Sequence, residues 1–251
     1  MSNKRYGVLD GIRGIILISM IAYHTVWDLV NIFDVRWSWF RSDPGYLWQQ
    51  SICWSFILLS GFCWSMGRRQ LRRGCMVFCA GALVSVVTLI VMPENVVIFG
   101  VLTFLGTAML LLVPVYKYVQ KWNPFLGVGA AFALFMIFRS INDGYLGVGS
   151  IRLVKLPGSW YANMFTTFLG LPERGFHSTD YFSVLPWLFL FVTGYFLYNI
   201  AASRNLLRHL ENQKLSGPWW LRWLGRHSLI IYMLHQPVIY GVLYVGNRLA
   251  K

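Results

Sequence analysis

One apolar segment near the start of the chain carries an unusual set of chemically able side chains. Arg13 and His24 are eleven residues apart, and at about 100° per helical residue that step closes three turns to within roughly 20°. Asp10 lies one turn before Arg13 and Asp28 one turn after His24, so all four share a face within about 60° of arc, with Gly14 beside them. Each type has a task it suits. An imidazole titrates near the working pH and can take a proton from a hydroxyl or amine. A carboxylate one turn away can orient that ring or stabilise its cation, or equally pair with another helix. A guanidinium holds phosphate. The rise from Arg13 to His24 is ~16 Å, the reach of a phosphate-bearing carrier with a long flexible arm. Coenzyme A is such a carrier. Structural readings stand beside these: a satisfied polar pair between helices for His24 and Asp28, a cap and anchor for Asp10 and Arg13.

Other residues join the set. For the carrier phosphates the candidates after Arg13 are Arg68, Arg69 and Arg72 in "GRRQLRRG" and Arg226 before the last apolar block; any one of these arginines can equally be a topology determinant at lipid headgroups. His235, in "YMLHQPV", is a second histidine at membrane depth, and Pro237 loosens the helix beside it. It either contacts the carrier arm or acceptor, or closes an interhelical hydrogen bond. Asp180, Trp187 and His177 mark an acceptor side, with Trp187 alternatively an interface anchor. Two ligands at His24 and Asp28, with no completing spacing elsewhere, argue against a metal site.

The elements that position these groups are membrane helices. The chain has 251 residues, is 57% hydrophobic and 12% charged, and its apolar residues fall in blocks of about 20, the length that crosses a hydrocarbon core. The expectation is one all-α domain over residues 1–251: a multi-pass transmembrane bundle of about seven helices at 11–33, 46–66, 75–92, 96–116, 124–141, 181–201 and 227–247. The first block lacks a cleavage pattern and is read as a retained helix. Cys53, Cys63, Cys75 and Cys79 all lie in apolar blocks and read as packing residues. The net charge of +13 is spread between apolar blocks, which excludes a nucleic-acid face and fits the positive-inside rule with the N-terminus cytoplasmic. That places the chain in the cell membrane, with an extracytoplasmic loop at about 142–180 whose length suits a lid or binding surface. "SGPWWLRWLGRH" reads as a tryptophan anchor at the headgroups.

Several segments resemble a known family. "VLDGIRGIILISMIAYH" is similar to the opening helix of the transmembrane acyltransferases. "VIFGVLTFLGTAML", "STDYFSVLPWLFLFVTGYFL" and "LGRHSLIIYMLHQPVIY" resemble, in order, segments of the bacterial relatives of heparan-alpha-glucosaminide N-acetyltransferase. The chain departs from that pattern at Thr103, where many relatives carry histidine. The resemblance implies transfer of an acetyl group from cytoplasmic acetyl-CoA to a hydroxyl or amine of an extracytoplasmic acceptor, a sugar or glycan, with His24 the general base and Asp28 beside it; an acetyl-histidine intermediate is an open alternative. Membrane lipids are the surrounding partner, and a homo-oligomer is left open. The rival class is a proton-coupled transporter or flippase using His24, Asp28 and His235 as a relay, disfavoured by the lack of an internal repeat.

Overall fold

The computed structural model describes residues 6–210 and 216–249; Lys4, Arg5, Lys214 and Lys251, which count among the basic residues that set the expected topology, lie outside them. Within the described residues the chain is an all-α multi-pass bundle with ten α-helices and one two-stranded sheet. The seven expected helices are present as α1 (Gly7–Asn31), α2 (Asp43–Trp64), α3 (Gln70–Val91), α4 (Val101–Val119), α5 (Pro124–Phe138), α7 (Val184–Ser203) and α10 (Ser228–Leu249). Three short helices were not anticipated: α6 (Met164–Leu169), α8 (Leu207–Leu210) and α9 (Trp219–Arg226). Among the described residues six helices are long and apolar enough to span a membrane, and α2 is not among them. Its length suffices, but Gln49, Gln50, Ser51, Ser55 and Ser60 dilute its hydropathy.

The boundaries differ from expectation where side chains capture the backbone. The fourth helix starts at Val101 rather than 96, because Asp180 accepts a hydrogen bond from the Val101 amide at 3.1 Å and Ser178 one from the Ile98 amide at 2.9 Å, holding 96–100 outside the helix. The same bonds tie down 178–180, and the sixth expected helix accordingly starts at Val184, not 181. The third begins earlier, at Gln70, whose side chain donates to the Trp64 and Gly67 carbonyls and secures the turn.

The contacts separate two units, residues 1–56 with 204–251 and residues 57–203, and the division falls inside α2. In the first, α1 packs on α9 and α10. Ile12, Ile15 and Ile18 stay exposed on the opposite face of α1, the side suited to lipid. Close approach to α9 depends on glycine. A Cβ at Gly14 would lie 2.2 Å from the Leu221 carbonyl oxygen, and one at Gly225 only 1.8 Å from that of Asp10. Small residues at the crossing are how membrane helices gain contact area without a hydrophobic drive between them.

In the second unit α3 packs on α4 and α5 on α7. Gly81 and Gly106 form the first crossing, against Thr103 and Phe78, and Gly61 and Gly194 let the end of α2 meet α7. Segment 142–180, expected as a loop, contains an antiparallel hairpin, β1 (Tyr145–Val148) with β2 (Ile151–Lys155), as well as α6. Side chains stitch it down: Asn142 donates to the Gly170 carbonyl at 3.0 Å, Tyr161 to that of Ile141 at 2.6 Å, and Tyr181 to that of Thr167. Burial pushes the Tyr181 phenol up to about 12, against a smaller downward pull from the Ser183 hydrogen bond, so it stays a donor at physiological pH.

Candidate functional site

The stripe on α1 divides into two clusters inside the first unit, one at each end of the helix. At the N-terminal end Asp10, 2% exposed, accepts from Arg13 Nη1 at 3.0 Å and from Arg226 Nε at 3.4 Å. Arg226 reaches it because Gly225 lets α9 lie directly against α1. One carboxylate between two guanidiniums leaves a net positive charge. The arginines keep 26% and 47% of their side-chain surface open while Asp10 keeps 3%. Donors therefore remain for an incoming anion, on a base that is already oriented.

The other cluster lies three turns along, where α1 meets α10. The rings of His24 and His235 have centroids 4.9 Å apart. Asp28 is completely buried, and it does not hold the His24 ring: its Oδ1 accepts from Gln236 Nε2 at 2.6 Å, the one hydrogen bond the carboxylate has among the described residues. His235, 9% exposed, uses Nδ1 on the Tyr232 carbonyl of its own helix. Three polar atoms here are buried with no hydrogen-bond partner among the described residues: Asp28 Oδ2, His235 Nε2 and Gln236 Oε1. Buried polar atoms are rarely left so, and three in adjacent side chains of one site mark where a polar ligand belongs. Tyr23 closes one side, with its ring 5.8 Å from His24 and 5.3 Å from Trp48, which itself donates to Ser19 at 2.9 Å.

The remaining candidates lie in the second unit. Arg68, Arg69 and Arg72 are exposed around the start of α3. Asp180 caps α4 through the Val101 amide, which gives it a structural task. Trp187 packs between Phe135 and Phe182, at 5.6 and 5.0 Å between centroids, in aromatic packing rather than at an open surface. His177 is exposed on the 142–180 segment. Thr103 is buried with its hydroxyl unpartnered among the described residues. A cavity of about 400 Å³ lined by Phe78, Thr107, Leu110, Leu111, Pro114 and Phe168 holds none of the ionisable candidates.

Residues 5–237 match the model of the catalytic domain of heparan-alpha-glucosaminide N-acetyltransferase. The chain belongs to this family. The match takes in Arg13, His24, Asp28, Arg226, His235 and Gln236, that is, both ends of the α1 stripe and the partners that α9 and α10 bring to it. Membership makes the chain an acetyltransferase of a membrane enzyme family, and its long apolar helices agree. No curated protein and no solved structure matches the chain.

For this acetyltransferase, sequence reasoning missed Gln236 and Tyr232. The signal for Gln236 was present, since an amide in the middle of an apolar helix needs a partner. Its pairing with Asp28 spans 208 positions, and helical periodicity, which works within one element, carries nothing across that distance. The Tyr232 carbonyl could not be read from side-chain types at all.

Proposed function

We propose that the protein moves an acetyl group from acetyl-CoA to a hydroxyl or amine of a sugar or glycan on the far side of the cell membrane. What supports the reading is that one helix carries both a cationic anchor, Arg13, and an imidazole, His24, eleven residues or ~16 Å apart, and that each faces a packed helix of the same unit, α9 with Arg226 and α10 with His235. Arg13 and Arg226 hold the phosphates of the donor at the cytoplasmic end. The pantetheine arm runs along α1 and brings the thioester to His24 and His235. The acceptor enters from the extracytoplasmic side.

At the meeting point an imidazole removes the acceptor's proton as its oxygen or nitrogen attacks the thioester carbonyl. The tetrahedral intermediate collapses with loss of the CoA thiolate, which takes up the proton. General base catalysis of this kind is worth about 10²- to 10⁴-fold.

The test uses the full chain in detergent with acetyl-CoA and an amino sugar. The purified protein is expected to bind acetyl-CoA and release free CoA in step with acetylated product, and removing both imidazoles (His24→Ala with His235→Ala) is expected to lower turnover at least a hundredfold. Absence of acetyl-CoA binding sinks the proposal. Uptake of a solute into vesicles without CoA release supports the transporter reading instead.

A further inference from the structure

Of the two imidazoles, only His235 is held as a base must be held. Its Nδ1 lies on the Tyr232 carbonyl, and a carbonyl can only accept, so Nδ1 carries the proton. In a neutral ring the lone pair then sits on Nε2. That atom is buried and unpartnered among the described residues. His24 makes no hydrogen bond to the described residues that would fix its tautomer. A base oriented by a third group, with its free nitrogen facing the site, is the arrangement catalytic imidazoles share.

The neighbouring side chain sets the direction. Gln236 is bound to Asp28 at 2.6 Å, which fixes the rotation of α10 against α1 and holds His235 beside the His24 ring, 4.9 Å between centroids. That bond uses Oδ1 of Asp28 and Nε2 of Gln236, leaving Asp28 Oδ2 and Gln236 Oε1 as buried atoms without partners. The three unpartnered atoms are all acceptors. What completes the site is a molecule with several O–H or N–H groups close together, as on a sugar ring.

We propose that His235 Nε2 is the atom that takes the proton from the acceptor, and that Asp28 Oδ2 and Gln236 Oε1 receive neighbouring hydroxyl or amine donors of the same molecule. This rests on the acetyl-transfer reading and gives a defined task to His235, read from sequence as a contact of the carrier arm or acceptor or as an interhelical hydrogen bond. The O–H or N–H bond of the acceptor breaks with its proton going to Nε2 as the new bond to the thioester carbon forms. The C–S bond then breaks, and the proton passes from Nε2 to sulfur, giving free CoA and a neutral ring. While His235 is a cation, its Nδ1–H stays on the Tyr232 carbonyl, which spreads the charge. His24 packs against the reacting ring as a positioning residue.

The experiment compares His235→Asn with His24→Asn in the full-length protein. Asparagine at 235 can still donate to the Tyr232 carbonyl but has no basic nitrogen, so a structural role survives the change and a catalytic one does not. The expected result is a loss of kcat of about a hundredfold or more for His235→Asn with KM for acetyl-CoA within twofold of wild type, and a smaller loss for His24→Asn. Near-wild-type kcat for His235→Asn, a rise in KM for acetyl-CoA alone, or a larger loss at His24 than at His235 overturns the assignment. A second measurement does not depend on turnover. In protein labelled with ¹⁵N-histidine, the signal pair that disappears in His235→Asn is expected to show protonated Nδ1 and lone-pair Nε2; the opposite tautomer overturns the proposal even if acetyl transfer is observed. If the wild type shows the expected tautomer but transfers no acetyl group, it is the acetyl-transfer reading that fails.

Discussion

Asp10 is buried between two arginines that remain partly open, the end proposed to hold phosphate. Arg13→Ala or Arg226→Ala is expected to raise KM for acetyl-CoA about tenfold to a hundredfold, the range of one hydrogen bond to a charged group, with kcat little changed; steady-state kinetics at fixed acceptor checks this. Asp28 works differently. Asp28→Ala leaves the Gln236 amide without its partner in a buried site, a loss of about 1–3 kcal/mol that should appear as a lower melting temperature in detergent, whereas Asp28→Asn keeps an oxygen for Gln236 and should melt closer to wild type. At this scale the sequence was informative within a helix and silent between helices. The shared face of Asp10, Arg13, His24 and Asp28 follows from spacing alone. The partners Arg226 and Gln236 come from over two hundred residues away, and of the two readings open for Asp28, orienting the His24 ring or pairing with another helix, its hydrogen bond goes to α10.

Between elements, the α1–α9 crossing links backbone packing to the site. Gly225→Val would drive a side chain into the Asp10 carbonyl, 1.8 Å from the position of the first carbon. The expected outcome is α9 displaced, Arg226 withdrawn from Asp10, a raised KM for acetyl-CoA and a lower melting temperature. Gly241→Val, with open space at the same test, is the control. Helix α9 was legible only as a tryptophan-rich anchor, because eight residues between Pro218 and His227 are too few for periodicity to show. The structure makes it an amphipathic helix with Leu221 and Gly225 buried and Trp219, Trp220 and Trp223 exposed. The hairpin at 145–155 was also hidden. Its glycines read as loop, and Gly144 and Gly149 do adopt positive φ, 88° and 59°, but they flank and turn a strand pair. The loop's tyrosine bond gives a pH prediction. The Tyr181 phenol ionises at about 12 in the folded chain against about 10 when unfolded, so its contribution is whole below about pH 10 and is lost as pH rises through about 12. Tyr181→Phe should therefore lower the melting temperature at pH 7.5 and make less difference above pH 11.

For the whole chain, length and hydropathy were enough to place seven helices and an all-α membrane protein, since the bilayer imposes one segment length. Polar residues inside α2 and the captured backbone at 96–100 and 178–180 are what blurred the boundaries. The positive-inside rule predicts a cytoplasmic N-terminus. Cysteines introduced at Arg72 and Arg174 into a cysteine-free variant should be labelled by an impermeant reagent from the cytoplasmic and the outer face respectively; the reverse pattern would invert the proposed direction of transfer. That direction is the central claim. The decisive measurement supplies acetyl-CoA to the cytoplasmic face of proteoliposomes and an amino sugar to the other. The account predicts acetylated sugar on the acceptor side and free CoA on the donor side in equal amounts, abolished by His235→Asn. Acetylation confined to the donor side, or sugar crossing the membrane unmodified without CoA release, would contradict it.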